Sequence, residues 1–289
     1  MQSPCNTGAS DWLSATAAEA GFARLDCEIF PEFGPGTVWL VGAGPGAPGL
    51  LSLLGYHALQ HCDVIVYDAL VNSDILRWAR RGAAVEYAGK RGGKPSPDQR
   101  DISFRLIDLA REGNRVLRLK GGDPFIFGRG GEEAGQLAKA GISFRIVPGI
   151  TAGIGGLAYA GIPATHRDIN HSVLFLTGHD ATGAMPANVN WKAVARASPV
   201  IVMYMAMKHL LQIAHELLAN GRDAREQVLI ISNATLPSQE VHETDLASVE
   251  HYLRTHAPAT PALVVVGNLS PWRAILDWYG TSLRENKIG

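Results

Sequence analysis

Short apolar runs recur along the chain from Thr37 onward. They are too rich in Val, Ile and Leu to alternate with polar residues, which is typical of strands covered on both faces. We interpret each run as one strand: TVWLVGA, DVIVYD, AAVEYAG, NRVLRLKGG, SFRIVPG, HSVLFLTGH, SPVIVMYMA, EQVLIISNAT and PALVVVGNL.

Stretches with helical periodicity lie between these runs, over 99–112, 130–140, 207–220 and 246–255. A strand followed by a helix, repeated along the chain, predicts βαβ units and mainly parallel sheets. We therefore expect an α/β fold with two α/β domains, in which ligands bind beyond the carboxyl ends of the strands.

A segment dense in Gly and small residues, at 148–170, interrupts the series after about five predicted strands and before four more. We place a domain junction there. The predicted organisation is an N-terminal extension, partly disordered, at 1–35, an N-terminal α/β domain at 36–148, a C-terminal α/β domain at 149–280 and a C-terminal tail at 281–289.

Composition argues against several classes of protein. The formal net charge of -1 and the pI of about 6.8 give no field that would attract nucleic acid or an acidic membrane. The cysteines at 5, 27 and 62 form no CxxC, so neither a disulfide framework nor a zinc site is indicated. With no long apolar run and no signal-peptide pattern at the start, we expect a soluble, cytoplasmic protein.

The basic residues and the histidines are candidates for binding an anionic substrate or a metal ion. Of the 26 basic residues 19 are Arg, which suits a polycarboxylate substrate but is explained equally well by genomic base composition. His166, His171 and His179 have no recognised metal-ligand spacing, so no metal site is predicted.

The first glycine-rich turn, GAGPGA at 42–47, formally satisfies a dinucleotide-binding fingerprint, and Asp68 ends the next predicted strand as a ribose-binding acid would. A pyrophosphate cradle depends on consecutive backbone N–H groups, however, and Pro45 and Pro48 each remove one. A simple tight turn, or a wall beside a cofactor without a phosphate to hold, is equally compatible with these residues.

The segment VLRLKGGDPFIFGRGGEE, at 116–133, is more specific. A predicted strand runs into two glycines that allow close approach to the backbone, and then into Asp123, which could meet a cationic group. An apolar cluster over 125–127 could pack on a purine, and a helix begins after it. The pattern is not a Walker motif.

With its companion blocks, this segment resembles the tetrapyrrole methylase family, and within it the enzymes that methylate uroporphyrinogen III. The companion blocks are VGAGPGAPGLL, YDALV, GKR, VPGITA, AYAGIPATHR, TGH and YM, in this order between about Val38 and Gly280. The resemblance implies two α/β domains with mainly parallel sheets and the cofactor cleft between them, S-adenosylmethionine as cofactor with S-adenosylhomocysteine as product, and a homodimer. It also implies methylation of two pyrrole carbons of uroporphyrinogen III to give precorrin-2.

The resemblance also assigns site residues. It implies an acid–base pair at Asp68 and Lys90, whereas in isolation we would interpret these as a strand-end acid and a solvated charge. It implies these cofactor contacts: Pro45, Gly121, Gly122, Asp123, Ile126, Thr151, Ala152, Met205 and Ala234. Ala234 stands where the family usually has Gly, which matters only if the backbone there requires a positive φ.

Arg129, His166 and Arg167 are candidates for binding the substrate. Arg129 lies in the Gly-rich turn directly after the implied cofactor stretch, where a guanidinium could grip a carboxylate or act near the reacting ring. His166 and Arg167 follow the predicted junction and could likewise meet substrate carboxylates.

Some positions depart from the family's pattern. Ala47 and Gly49 replace acids in the first loop, and Pro95 and Ser103 alter the block after Lys90. Two alternative functions stay open, the first because later enzymes of the family share the fold and the first glycine loop, and the second because of GAGPGA and Asp68. One is a methyltransferase for a later precorrin, and the other, from a different class, is an NAD-dependent oxidoreductase. A non-catalytic relative is a third, disfavoured by the intact Asp68, Lys90 and Arg129.

Overall fold

The computed structural model describes residues 29–89, 99–168, 170–180, 182–267, 273 and 275–280. It contains two five-stranded sheets, one on each side of the predicted junction. None of the helices in these ranges is both long and apolar enough to cross a membrane.

The first sheet is entirely parallel, with the order β3-β2-β4-β1-β5. Its strands are β1 (Val38–Gly42), β2 (Val64–Tyr67), β3 (Ala84–Tyr87), β4 (Val116–Lys120) and β5 (Phe144–Val147). The helices between them are α1 (Leu53–His61), α2 (Gln99–Arg111) and α3 (Gly130–Lys139), with 3-10 turns at Pro48–Leu50 and Ser73–Trp78. Because parallel strands share an edge at their carboxyl ends, the loops after β1, β2 and β4 emerge together.

The second sheet is mixed, with the order β6-β7-β10-β8-β9. Its strands are β6 (Val173–Thr177), β7 (Val200–Tyr204), β8 (Gln227–Ser232), β9 (Glu240–Asp245) and β10 (Ala262–Val266). Its helices are α4 (Ala152–Tyr159), α5 (Trp191–Ala197), α6 (Leu210–Ala219) and α7 (Val249–Thr255), with a 3-10 turn at Met207–His209. Only β6 and β7 pair in parallel.

The expected α/β fold with two sheets is confirmed, and two details differ from the sequence interpretation. Mainly parallel pairing holds for the first sheet but not for the second, in which β10 runs antiparallel between β7 and β8. Strand β9, EVHETD, was not among the predicted strands because it is a polar edge strand with little apolar surface to bury.

The continuous apolar character of the central strands reflects burial on both faces. In β1, Val38 and Leu40 pack into one core cluster, whereas Trp39 and Val41 pack into another on the opposite face. Phe33, from the end of the predicted extension, stacks on Trp39 with ring centroids 4.4 Å apart. The rigid strands that result fix the positions of the loops at their carboxyl ends.

Candidate functional site

A cavity of about 720 Å³ lies between loops of the two sheets. The first sheet contributes the loops after β1, β2 and β4, and the second contributes the loops after β7 and β8, with the starts of α4 and β10. The volume suits a small organic ligand. It is lined by ten of the predicted site residues: Pro45, Asp68, Gly121, Gly122, Ile126, Arg129, Thr151, Ala152, Met205 and Ala234.

The two glycine loops of the first sheet are bonded to each other at the cavity. Gly122 N donates to Gly44 O at 2.7 Å, and Gly44 N donates to Gly122 O at 3.2 Å. Gly122 has a φ of 67°, and a Cβ at this position would have nothing nearer than the Thr151 Cα and the Ala152 N, at 4.0 Å. The missing side chain therefore leaves a gap between the loops of the two sheets that a ligand can enter.

The first loop is poorly suited to hold a pyrophosphate. Pro45 and Pro48 have no N–H, and Gly44 N already donates to Gly122 O. Ala47 N donates to Thr235 Oγ1 at 2.8 Å, which ties this loop to the loop after β8. The N–H groups that a dinucleotide would need are therefore missing or already engaged.

Asp123 does not line the cavity. Its Oδ1 accepts from Phe125 N at 2.8 Å and its Oδ2 accepts from Gly149 N at 3.0 Å. The carboxylate thus joins the loop after β4 to the loop after β5. The side chain therefore shapes the loop, and the contact with a cationic group that the sequence suggested for it stays a prediction.

A buried cluster of charges that the sequence interpretation missed lies next to Asp68. Arg118 Nε and Lys120 Nζ donate to the same oxygen of Glu133, at 3.2 and 3.1 Å. Arg118 Nη2 lies 3.8 Å from Asp68 Oδ2. Burial lowers the pKa of Lys120, and the neighbouring Arg118 lowers it further. The sequence feature that could have indicated this cluster is a pair of charged residues, at positions 118 and 120, within an otherwise apolar strand.

Arg129 lies at the mouth of the cavity as the residue before α3, in a left-handed conformation with a φ of 58°. Its Nε and Nη2 donate to Glu132 at 3.0 and 2.7 Å, and this hydrogen bonding lowers the pKa of Glu132. Half of the Arg129 side chain is exposed. The guanidinium is therefore oriented by Glu132 and still accessible to a ligand.

Tyr204, at the end of β7, was also missed as a site residue. Its hydroxyl lies 2.7 Å from Thr151 Oγ1 and accepts from Gly153 N at 2.8 Å. Thr151 precedes α4, but its side chain makes no capping hydrogen bond to the helix. The Tyr204 hydroxyl, from a distant strand, caps the helix instead by accepting from Gly153 N. The Tyr204 ring also contacts Phe127, with centroids 4.9 Å apart.

Of the non-glycine residues with positive φ in the described chain, four line this cavity and the fifth, Thr235, accepts a hydrogen bond from the first glycine-rich loop. Their φ angles range from 50° to 69°, and they are Phe127, Arg129, Met205, Asn233 and Thr235. Such conformations are strained and cluster at functional sites. Ala234 is not among them. The backbone at this position, where the family usually has glycine, is therefore not left-handed, and alanine fits without strain.

The remaining predicted site residues are Lys90, His166 and Arg167. Lys90 and Pro95 lie outside the described residues. His166 and Arg167 do not line the cavity, and His166 instead pairs through its backbone with Asn170. Their roles toward a substrate stay predictions. Within the ranges that the structure describes, no group of three or more His, Cys, Asp or Glu could hold a metal ion.

Comparison with known proteins extends these findings. Residues 37–250 match the family model of the tetrapyrrole (corrin/porphyrin) methylases. The chain is 62% identical over 250 residues to a uroporphyrinogen-III C-methyltransferase of a Sinorhizobium species, covering 86% of this chain and 89% of that protein. It is 45% identical over 257 residues to a sirohaem synthase of Pectobacterium atrosepticum, with 89% of this chain covered but only 53% of that longer protein.

A solved structure has the same fold. The uroporphyrin-III C-methyltransferase of Thermus thermophilus, complexed with S-adenosylhomocysteine, matches with a TM-score of 0.70 and 37% identity, covering 80% of this chain and 97% of that one. The family model spans most of the chain, and the structural match covers four fifths of it. The chain therefore belongs to the tetrapyrrole (corrin/porphyrin) methylase family.

Proposed function

We propose that the chain transfers methyl groups from S-adenosylmethionine to two pyrrole carbons of uroporphyrinogen III, giving precorrin-2. The observation that carries this proposal is the cavity of about 720 Å³ in which the implied cofactor loops of both sheets meet. The similarity to a uroporphyrinogen-III C-methyltransferase over 89% of that protein supports the choice of substrate.

The cavity fits a sulfonium cofactor better than a nucleotide phosphate. A sulfonium carries a positive charge and has no phosphate, so a first loop depleted of N–H donors is no disadvantage. The gap beside Gly122 would accept the cofactor between the loops of the two sheets. Residues that would hold it are Pro45, Gly121, Gly122, Ile126, Thr151, Ala152, Met205 and Ala234, all on the cavity wall.

S-adenosylmethionine, when bound, supplies an electrophilic methyl group. The chain has to align a pyrrole carbon with it and exclude water, and such alignment accounts for much of the rate in group transfer. The apolar side chains of Ile126 and Phe127 border the reacting space. To Asp68, on the same wall, we assign acceptance of the proton that leaves the ring, and to Arg129 the orientation of a substrate carboxylate.

The test is to incubate the purified chain anaerobically with uroporphyrinogen III and S-adenosylmethionine and to measure the mass of the product. We expect a gain of two methyl groups. A chain that leaves uroporphyrinogen III unchanged but methylates a precorrin would be reassigned to a later step. Calorimetric titration with NAD and with S-adenosylhomocysteine tests the alternative of an NAD-dependent oxidoreductase. A chain that binds NAD and not S-adenosylhomocysteine is not a methyltransferase.

We also infer a homodimer, from the family resemblance. Exposed apolar side chains on one side of the second sheet support it, with Ile154, Ile275 and Trp278 between 49% and 73% exposed around a second cavity of about 520 Å³. Analytical ultracentrifugation at micromolar concentration tests the inference, and a single species of 30.9 kDa would contradict it.

A further inference from the structure

The ammonium group of Lys120 has an unusual environment. The residue is only 3% exposed, yet it borders the cavity. Its Nζ donates to Glu133 Oε1 at 3.1 Å, and within the described ranges Glu133 is the one acceptor found for it. A protonated lysine has three N–H donors. Donors therefore remain that a group inside the cavity can satisfy.

Lys120 shares its carboxylate partner with a second cation. Arg118 and Lys120 share a single oxygen of Glu133, so two cations meet one carboxylate at contact distance. The other anion, Asp68, is 27% exposed at the rim and stands 3.8 Å from Arg118. The parallel register pairs Tyr67 with Leu119, so that Asp68, directly after β2, and Lys120, at the end of β4, lie side by side at the cavity edge.

We propose that Lys120 binds a carboxylate of a ligand in the cavity through its ammonium group. Leaving N–H donors of a buried charge unsatisfied is costly, whereas a charge-assisted bond to a carboxylate satisfies them. The proposal rests on the proposed function, because both reactants carry carboxylates: the macrocycle on its ring substituents and the cofactor on its amino-acid end. The chemistry is the same for either source, and the experiment separates the two.

The test compares the wild type with Lys120→Met, Lys120→Arg and the exposed control Lys139→Met. Calorimetry gives the Kd of S-adenosylhomocysteine, and fluorescence quenching gives the Kd of uroporphyrin III, the oxidised macrocycle. In Lys120→Met we expect the affinity for one of the two ligands to fall at least tenfold. In Lys120→Arg most of that affinity should be retained, and in Lys139→Met the affinities for both ligands should not change. A loss confined to uroporphyrin III identifies the substrate carboxylate, and a loss confined to S-adenosylhomocysteine the cofactor carboxylate.

A second measurement decides the matter if Lys120→Met does not fold. The groups that face the ammonium are Asp68, Arg118 and Glu133, and burial already lowers its pKa. A bound carboxylate raises that pKa, so affinity falls as pH rises through the pKa of the unliganded lysine. In Lys120→Arg the guanidinium stays protonated, and we expect affinity to persist to higher pH than in the wild type.

Two results would overturn the proposal. One is unchanged affinity for both ligands in a folded Lys120→Met, and the other is superimposable pH profiles of the wild type and Lys120→Arg. Because both assays measure binding, they hold even if the wild type transfers no methyl group to uroporphyrinogen III. Failure of the proposed function and failure of the lysine's role are thus distinguishable.

Discussion

The hydroxyl of Tyr204 joins the second sheet to the start of α4, and Tyr204→Phe removes that hydroxyl alone. The ring of Phe can keep its contacts with Phe127 and Phe175. Two hydrogen bonds are lost, to Thr151 Oγ1 and from the buried Gly153 N. The variant therefore isolates the capping of α4 from the packing of the aromatic cluster.

The expected cost follows from these two bonds. An unsatisfied buried N–H costs about 1–3 kcal/mol. Once released, the Thr151 hydroxyl can turn toward its own helix and recover part of a capping bond worth about 1 kcal/mol. We expect the free energy of unfolding to fall by about 1–2 kcal/mol, a decrease in Tm of roughly 2–8 °C for a chain of this size.

Urea denaturation followed by circular dichroism measures the loss, and titration with S-adenosylhomocysteine measures the effect on the cavity. Since Thr151 and Ala152 lie on the cavity wall, we expect weaker binding as well. The matched control is Tyr252→Phe, which removes a half-buried hydroxyl bonded to His242 at 3.0 Å, far from the cavity. If the two variants lose the same stability and bind S-adenosylhomocysteine equally, the capping role of Tyr204 is refuted.

Three further predictions concern other parts of the site and the core. Arg129→Ala should leave the Kd of S-adenosylhomocysteine near normal and abolish most turnover, and full turnover would remove this residue from the site. Gly42→Ala places a Cβ 2.5 Å from a facing backbone atom and should cost about 3 kcal/mol or more in urea denaturation, whereas Gly49→Ala, with nothing within 4 Å, should cost under about 0.5 kcal/mol. Burial raises the pKa of the Cys62 thiol to about 12, so in a variant whose other cysteines are serine it should resist maleimide at pH 8 until the chain unfolds. Because the unfolded thiol ionises from its ordinary pKa of 9.0, stability should also fall as pH rises from 9 toward 12.

Hydrophobic patterning was sufficient to predict most of the fold because buried strands and amphipathic helices leave strong periodic signals. Helix α2 was expected over 99–112 and spans Gln99–Arg111. The direction of β10 was not predictable in this way, since a short apolar run looks the same in a parallel and an antiparallel pair. Strand β9 escaped because a polar edge strand resembles a loop.

The site was predictable where a motif carried it and not where the fold created it. The loops at 121–129 and 151–152 were expected together from the family blocks, and both line the cavity. Lys120 and Tyr204 lie 84 positions apart in the chain and belong to different sheets. Lys120 contacts Glu133 and Tyr204 contacts Thr151 only once the sheets have formed, so no local sequence pattern predicts these contacts.

The left-handed residues around the cavity have a consequence for any attempt to evolve or engineer this protein. Each non-glycine residue in such a conformation costs of order 1–3 kcal/mol, and glycine would relieve part of it. Selection for heat resistance alone should therefore enrich glycine at positions such as Phe127 and Met205, whereas asparagine, as at Asn233, already tolerates this conformation. The variants obtained would melt later and hold their ligands less firmly, because the same side chains line the cavity. Thermal stability and catalytic fitness are opposed at these few positions.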